Sequence, residues 1–361
     1  KACIGKPIEG SNPSSSAKQN RGEGNMKTAL ITGITGQDGR HLAELLIKKD
    51  YKVFGLVNGQ RRDKAEELAQ KLPEIEQIFG DLTDNASLVS AIQQSQPDEI
   101  YNLAAISFVG LSFSQPELTA NVTGLGILRI LEACKTLNLS ETIRIYQASS
   151  SEMYGKVRET PQNEKTPFHP RSPYGVAKAF AHYITTNYRE AYGMFISNGI
   201  LFNHEGEHRG YEFVTRKITQ GVARIKLGIS KELRLGSLEP KRDWGYAGDY
   251  VQAMWKMLQI AKPDDFVIAT GETHSVRDFL NEAFLSVDIE DGENRFVRKD
   301  ERYFRPSEVD LLIGDASKAR KELEWEPKTN FKELVRLMVR NDLIIEAEKA
   351  KLEIPSTSVM N

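Results

Sequence analysis

Short apolar runs alternate with amphipathic stretches from Met26 to about Ser150. The runs predict the strands Thr28–Thr32, Tyr51–Val57, Glu76–Leu82, Ile100–Ala105 and Ile143–Ser149. Between them, apolar residues recur at helical spacing and predict the helices Leu42–Lys49, Ala86–Gln94 and Leu125–Leu137. Strands that alternate with helices are typical of a parallel sheet covered on both faces. The pattern therefore predicts a doubly wound, Rossmann-like α/β fold.

After Phe202 the pattern loosens into a stretch rich in glycine and charge, then a helix near Tyr250–Leu258 and a strand near Phe266–Ala269. We interpret this part as a smaller C-terminal α/β substrate-binding lobe. The predicted division is a nucleotide-binding domain at 26–202 with returning segments near 243–271, a lobe at 203–242 and 272–345, and terminal tails at 1–25 and 346–361. The first tail is either flexible or a remnant of an expression vector, and Glu346–Lys351 is expected to be a solvated helix end.

The composition excludes several classes of protein. Of 361 residues, 40% are apolar and 27% charged, which is ordinary for a soluble globular protein and argues against a disordered or fibrous chain. No apolar run reaches the roughly 18 residues of a spanning helix, and 48 basic against 50 acidic residues provide no global field for nucleic acid or membrane. Cys3 and Cys134 fit a reducing compartment, so we expect a cytoplasmic protein without a thiolate metal site.

A glycine-rich loop follows the first predicted strand, with Gly33, Gly36 and Gly39 in G-x-x-G-x-x-G spacing. Glycines there let the backbone turn sharply and approach a pyrophosphate at a helix N-terminus. The position between strand and helix favours a dinucleotide site.

The end of the second strand indicates which dinucleotide is bound. NAD sites usually carry an acid there for the ribose hydroxyls, but this strand ends in Val57, Asn58 and Gly59. Arg61 and Arg62 follow and could bind an added 2′-phosphate. We therefore predict NADP; the alternative is a pair of solvated loop charges.

Four residues form the candidate catalytic group. Tyr174 and Lys178 stand four apart on one face of a helix that Pro173 can begin, and the lysine is expected to lower the pKa of the phenol. Ser150 and Glu152 follow the fifth strand, where α/β sheets bind ligands. A carboxylate there can remove a proton alpha to a new ketone, although a polar surface turn would also explain these residues.

Eight motifs stand in the order found in GDP-mannose 4,6-dehydratases, which are extended short-chain dehydrogenase/reductase proteins. They are TGITGQDG, YNLAA, QASSSEMYG, RSPYGVAK, NGILFNHE, FVTRKI, KRDWG and FRPSEVD. The chain resembles that family from about Met26 to Leu343.

The resemblance implies a role for each matching residue. The implied catalytic residues are Ser150, Glu152, Tyr174 and Lys178. The implied cofactor residues are Gly33, Ile34, Thr35, Gly36, Gln37, Asp38, Gly39, Asp81, Leu82, Leu103, Ala104, Ser107, Tyr174, Lys178, His204 and Arg209, to which the sequence adds Arg61 and Arg62. The implied substrate residues are Ser107, Glu152, Asn203, Val214, Lys217, Arg242, Arg305 and Glu308.

The implied reaction converts GDP-D-mannose to GDP-4-keto-6-deoxy-D-mannose and water. Tyr174, assisted by Lys178 and Ser150, deprotonates the 4-hydroxyl while C4 passes a hydride to NADP⁺. Glu152 then removes the C5 proton, water leaves C6, and the hydride returns there. The resemblance also implies a homo-oligomer, either a dimer or a tetramer.

The chain departs from the family pattern in three places. Asn58 and a shortened loop replace the family's arginines and serines after the second strand, and Ile106 replaces a glutamine. The Ser-Pro that usually follows N-H-E is Gly206-Glu207 here. We expect these changes to alter pocket details and keep the chemistry.

Three rival functions remain. Another nucleotide-sugar dehydratase or an epimerase of the same superfamily would share most of the motifs. A zinc hydrolase is suggested by His204 and His208 in H-E-x-x-H spacing, but the strand-like flank and Gly206 oppose the helix that such a site requires. A non-catalytic NADP-binding protein would not need the catalytic side chains. We predict no metal.

Overall fold

The computed structural model describes residues 26–60, 62–300, 302 and 311–360. Its strands are β1 Thr28–Thr32, β2 Lys52–Val57, β3 Glu76–Phe79, β4 Glu99–Asn102, β5 Arg144–Ser150, β6 Phe195–Leu201, β7 Asn203–Glu205, β8 Leu233–Leu235, β9 Lys241–Arg242, β10 Trp244–Tyr246, β11 Asp265–Ile268, β12 His274–Ser275 and β13 Val297–Lys299. Its helices are α1 Gln37–Ile47, α2 Arg62–Lys71, α3 Asn85–Ser95, α4 Val109–Ser114, α5 Pro116–Thr119, α6 Leu125–Thr136, α7 Pro173–Tyr192, α8 Val214–Lys226, α9 Ala247–Met257, α10 Val276–Ser286, α11 Gly292–Phe296, α12 Ser317–Glu322 and α13 Phe331–Ala350. A π-helical turn, Ala120–Gly124, precedes α6, and a 3-10 turn, Ser151–Met153, follows β5.

Seven parallel strands form the central sheet in the order β11-β6-β5-β4-β1-β2-β3. Side chains alternate across it: Ala29 and Ile31 of β1 belong to one buried core, and Leu30 belongs to the other. Helices α1 and α9 cover the first face, while α3, α6 and α7 cover the second. The predicted Rossmann-like α/β fold is confirmed.

Several predicted boundaries shift. Helix α1 begins at Gln37 rather than Leu42, because its first turn carries polar residues that an apolar pattern does not detect. Strand β3 ends at Phe79 and β4 at Asn102, so that the polar residues after them lie in loops at the carboxyl edge of the sheet. This edge is where parallel α/β sheets place their ligands.

A third core joins α8, α10 and α13 beside the sheet. Between α8 and α10 the chain pairs β10 with β7 in a separate two-stranded sheet and then extends the central sheet with β11 beside β6. The predicted division into domain and lobe stays a prediction. Within the described residues, no helix has the length and apolar character needed to cross a membrane.

The expected solvated helix end at Glu346–Lys351 is confirmed for residues 348–351, which are exposed, and is wrong at Glu346. Helix α13 continues to Ala350, and the Glu346 side chain is 2% exposed. It accepts hydrogen bonds from Gln220 (2.9 Å) and Arg224 (2.7 Å) of α8, so basic and polar partners on another helix stabilise its burial. Beyond the helix, Val359 packs into the third core.

Candidate active site

Two clefts lie at the carboxyl edge of the central sheet and share one wall. The first cleft, of about 420 Å³, runs from the glycine loop past β4 and β5. The second cleft, of about 570 Å³, lies between the sheet and α8. Glu152, Asn203, Arg209 and Phe213 line both. A molecule in each cleft would therefore meet the other at Glu152.

Glycine is required at two positions of the loop that opens the first cleft. Gly33 has φ +72°, and a Cβ there would lie 2.8 Å from the backbone nitrogen of Ala104. A Cβ on Gly39 would lie 2.5 Å from the Gly33 oxygen. Because Gly36 directly precedes α1, the loop places the free amide groups of that helix at the cleft. This arrangement fits the diphosphate of a dinucleotide.

A chain of buried side-chain hydrogen bonds orders the ends of three strands. Thr32 Oγ1 donates to Asn102 Oδ1 (2.7 Å) and accepts from the backbone nitrogens of Leu103 (3.2 Å) and Ala104 (3.1 Å). Asn102 Nδ2 donates to Gln147 Oε1 (2.7 Å). The sequence analysis missed these positioning residues, although a polar residue near the end of an apolar strand is a usable signal.

Ser150, Glu152, Tyr174 and Lys178 come together where the clefts meet. Ser150 ends β5, and its hydroxyl accepts a hydrogen bond from the Glu152 backbone nitrogen (3.3 Å). Tyr174 and Lys178 lie in the first two turns of α7, which Ser172 caps through the Gly175 nitrogen (3.0 Å). All four candidate catalytic side chains are at least nine-tenths buried.

The expected lowering of the Tyr174 pKa is wrong for this structure. Burial raises the pKa of Tyr174 to about 12, the Ser150 hydrogen bond partly opposes this, and the Glu152 charge adds to it. Lys178 Nζ donates to the Ala148 carbonyl (2.6 Å) and lies 5.8 Å from the centroid of the Tyr174 ring. Burial in turn lowers the pKa of Lys178 to about 8. Desolvation therefore outweighs the attraction that the spacing predicts.

An ion pair joins α1 to β7 at the side of the first cleft. His204 Nε2 lies 2.9 Å from Asp38 Oδ2, and its Nδ1 lies 2.8 Å from the Phe202 carbonyl oxygen. Burial alone would raise the pKa of Asp38, but the His204 charge and hydrogen bond hold it well below its usual range. Burial likewise opposes the charged form of His204, yet Asp38 keeps the imidazole pKa raised.

This geometry also removes the basis for a zinc hydrolase. His204 lies on a strand rather than a helix. Glu205 is buried, accepts a hydrogen bond from Thr215 Oγ1 (2.6 Å) and forms an ion pair with Arg209 (2.8 Å). His204 and His208 therefore do not present their imidazoles to one metal as H-E-x-x-H on a helix would.

Most of the predicted cofactor residues line the first cleft. They are Gly33, Thr35, Gly36, Gln37, Asp38, Gly39, Asp81, Leu82, Leu103, Ala104, Ser107, Tyr174, Lys178, His204 and Arg209. The Ile34 side chain instead lies in the core, fully buried. Arg61 lies outside the described residues, and Arg62, the exposed first residue of α2, is not among the described residues that line this cleft. Asn58 lines it and donates to Asp81 Oδ2 (2.6 Å).

The second cleft combines basic groups with apolar walls. The predicted residues Glu152, Asn203, Val214, Lys217 and Arg242 line it, whereas Ser107 lines the first cleft. Arg305 and Glu308 lie outside the described residues. The sequence analysis missed further lining residues, namely Phe108, Phe113, Leu235, Trp244 and Arg302. These come from segments that are distant in the sequence, and although Trp244 lies in the KRDWG motif, only the fold brings the five residues together.

Comparisons with known proteins agree on one family. The family model described as GDP-mannose 4,6 dehydratase matches residues 30–338. The GDP-mannose 4,6 dehydratase of Drosophila melanogaster is 52% identical over 345 residues, covering 89% of this chain and 87% of the relative. The human GDP-mannose 4,6 dehydratase is 49% identical over 349 residues, covering 89% and 94%. The solved structure of RMD from Pseudomonas aeruginosa, complexed with NADPH, is 22% identical with a TM-score of 0.72, covers 89% of this chain and 100% of that chain, and shows the same fold.

Proposed function

This chain belongs to the GDP-mannose 4,6-dehydratase family, and we propose which of its residues acts in each step of that hydro-lyase reaction. Its activity is the dehydration of GDP-mannose. The main support for the proposed mechanism is the position of Glu152, a buried carboxylate in the wall that the two clefts share. A carboxylate there faces both a hydride-transfer site and a sugar site, and an epimerase would have no use for this base.

The first cleft is proposed to hold NADP. The tight loop at Gly33 and Gly39 has no room for a Cβ at either position, and the N-terminus of α1 suits the diphosphate. Asn58 stands where an NAD site carries an acid, which favours a dinucleotide with a 2′-phosphate. The RMD relative was solved with NADPH, which supports the same choice. A dinucleotide held by these residues would supply a hydride acceptor that is restored within the same turnover, so the reaction would need no net oxidant.

The second cleft is proposed to hold GDP-mannose. Lys217 and Arg242 offer positive charge for the diphosphate, and a planar guanidinium suits its oxygens. Phe108, Phe113 and Trp244 provide apolar surface for the base and sugar rings. With the nucleotide held there, the hexose extends toward Glu152.

Tyr174 is proposed to take the proton of the 4-hydroxyl as C4 is oxidised. The phenol is neutral in the ligand-free cleft, because its pKa is raised to about 12. Two neighbours favour the phenolate form, namely the Ser150 hydroxyl through its hydrogen bond and the Arg209 guanidinium through its charge. Lys178 is held by the Ala148 carbonyl, which fixes its amine near the phenol.

Glu152 is proposed to remove the C5 proton once C4 is a ketone. The ketone makes that proton acidic, and the carboxylate can take it directly. The 6-hydroxyl leaves as water with the proton that Glu152 has taken, by way of the Ser150 and Glu152 pair. Return of the hydride to C6 is then balanced by a proton to C5, which the protonated Tyr174 can supply. Ser150 fixes the backbone of Glu152, so the hydroxyl also positions this base.

Exchange of Glu152→Gln tests the assignment of the base. We expect dinucleotide affinity to stay within about twofold, while formation of the dehydrated sugar falls by roughly 10²–10⁴-fold. Mass spectrometry follows the loss of one water from GDP-mannose, and absorbance follows reduced dinucleotide that accumulates when oxidation is no longer followed by elimination. Glu117→Gln, at an exposed position on α5, is the matched control. Normal turnover of the Glu152 variant would refute the role.

The homo-oligomer is supported by an exposed apolar face on α7. Val176, Phe180 and Tyr183 are 56%, 42% and 59% exposed and follow the i, i+4, i+7 spacing of one helix face. Phe180 lies beside the π-helical turn at Gly124, so the face continues toward Leu125 of α6, which is 39% exposed. We propose that a second copy of the chain covers this face.

A further inference from the structure

His41, Glu207 and His208 form a cluster that the dehydratase chemistry does not use. Each offers one ligand atom, and these atoms all lie within 4.8 Å of one another. His41 is on α1, whereas Glu207 and His208 follow β7, so two distant segments build the group. In the part of the chain that the structure describes, no other group of three or more such side chains meets this geometry.

Two polar atoms of the cluster are buried without a hydrogen bond. His41 Nε2 and Glu207 Oε2 are buried, and neither has a hydrogen-bond partner among the described residues. They face each other at 3.8 Å, which is too long for a hydrogen bond. The His41 residue is 6% exposed, so its nitrogen cannot be satisfied by bulk water. Leaving two such groups buried costs free energy unless something bridges them.

The surroundings hold these side chains in place. Glu207 Oε1 accepts a hydrogen bond from the Tyr246 hydroxyl (3.3 Å), and the Glu207 carbonyl accepts bonds from Arg216 and Asn341. The His208 ring centroid lies 4.9 Å from that of His41. The carboxylate of Glu44 lies 3.9 Å from His208 Nε2, which is within ion-pair distance but longer than a hydrogen bond. Partners of this kind orient the ligands in known metal sites.

Gly206 leaves the space that the cluster needs. A Cβ at this position would lie 3.2 Å from His41 Nε2, directly at the atom without a partner. Gly206 and Glu207 replace the Ser-Pro of the family pattern, and proline at the second position has no side-chain ligand atom. The cluster is therefore a feature of this chain rather than of the motif that it departs from.

We propose that His41, Glu207 and His208 bind one divalent transition-metal ion, with Zn²⁺ the best match. Two imidazoles and one carboxylate are donors that zinc accepts, and three protein ligands leave a position for solvent. Tetrahedral zinc keeps its ligand atoms roughly 3.3 Å apart, so the distances between these ligand atoms would shorten by up to about 1.5 Å on binding. The ion would fasten α1 to the turn that leads to Arg209, a residue that lines both clefts.

The test uses the full chain, stripped with EDTA and freed of the chelator. Co²⁺ is titrated in while visible absorbance is recorded, because four-coordinate cobalt gives intense bands; Zn²⁺ is then added as competitor, and bound zinc is counted by elemental analysis. We expect one ion per chain and, in hydrogen exchange, added protection of the amides at 206–210. His41→Gln, Glu207→Gln and His208→Gln should each weaken binding at least about 10-fold. His169→Gln, at an exposed histidine outside the cluster, should bind like the parent.

Three results would overturn the proposal. The first is an absence of cobalt bands and of stoichiometric zinc in the folded parent chain. The second is binding that His41→Gln and His208→Gln leave unchanged, which would place the ion elsewhere. The third is an equal loss in the His169→Gln control, which would indicate adventitious binding by surface histidines. Circular dichroism of every variant confirms that a loss of binding is not a loss of folding.

Discussion

Folding transfers the amine of Lys178 from water into the wall of the first cleft. Burying the charged amine there has a free-energy cost that can be measured. Burial lowers its pKa from 10.5 to about 8. Each tenfold change in proton affinity is worth about 1.4 kcal/mol, so the difference corresponds to about 3 kcal/mol. The exchange Lys178→Met removes the titrating group and should remove the pH dependence that comes with it.

The pKa values of Lys178 in the folded and unfolded chains determine whether the stability of the parent rises or falls with pH, relative to that of the variant. Below pH 8 the amine is protonated in the folded and unfolded chains alike, and the parent protein bears the full cost of burying the charge. Between pH 8 and 10.5 the folded chain releases its proton first, so the parent becomes more stable relative to the variant. Above 10.5 both states are neutral and the difference levels off.

Urea unfolding of parent and Lys178→Met at a series of pH values from 7 to 10.5 measures this difference. The free energy of unfolding of the parent, minus that of the variant, should rise by about 3 kcal/mol across the series. Lys48→Met, at an exposed lysine that ends α1, should give a nearly constant difference. Parallel curves for the parent and Lys178→Met would refute the claim that this ammonium is buried at a cost.

Three further outcomes are expected. Gly33→Ala should weaken NADPH binding at least about 10-fold in a fluorescence titration, because φ +72° and a Cβ 2.8 Å from Ala104 N are both unfavourable; unchanged affinity would place the phosphates elsewhere. Replacing Arg61 and Arg62 by alanine should weaken NADPH far more than NADH, and equal losses would contradict the choice of NADP. Phe180→Glu should shift the chain to a monomer in light scattering, and an intact oligomer would exclude that face as the interface.

The sequence predicted those parts of the site that depend on local geometry. Glycine spacing places Gly39 because a Cβ there would meet the Gly33 oxygen of the same loop. A four-residue spacing places Tyr174 and Lys178 on one side of α7 because helical periodicity is local. Both predictions concern residues whose positions are set within one or two turns of chain.

Reasoning from the sequence failed for properties that depend on tertiary packing. The pKa of Tyr174 depends on how deeply the fold buries it, and spacing contains no information on depth. Phe113 and Trp244 line one cleft from separate segments, and neither belongs to a phosphate or catalytic motif. Glu346 looked like a surface charge because its partners Gln220 and Arg224 are more than a hundred residues away.

The wall that the two clefts share has a thermodynamic consequence. Asn203, Arg209 and Phe213 line both clefts, so a ligand that fixes these side chains on one side would change the free energy of binding on the other. The coupling is reciprocal, and the factor by which dinucleotide alters sugar-nucleotide affinity equals the factor for the reverse effect. The two binding constants of this protein are therefore not separate quantities: each has meaning only with the occupancy of the opposite cleft specified.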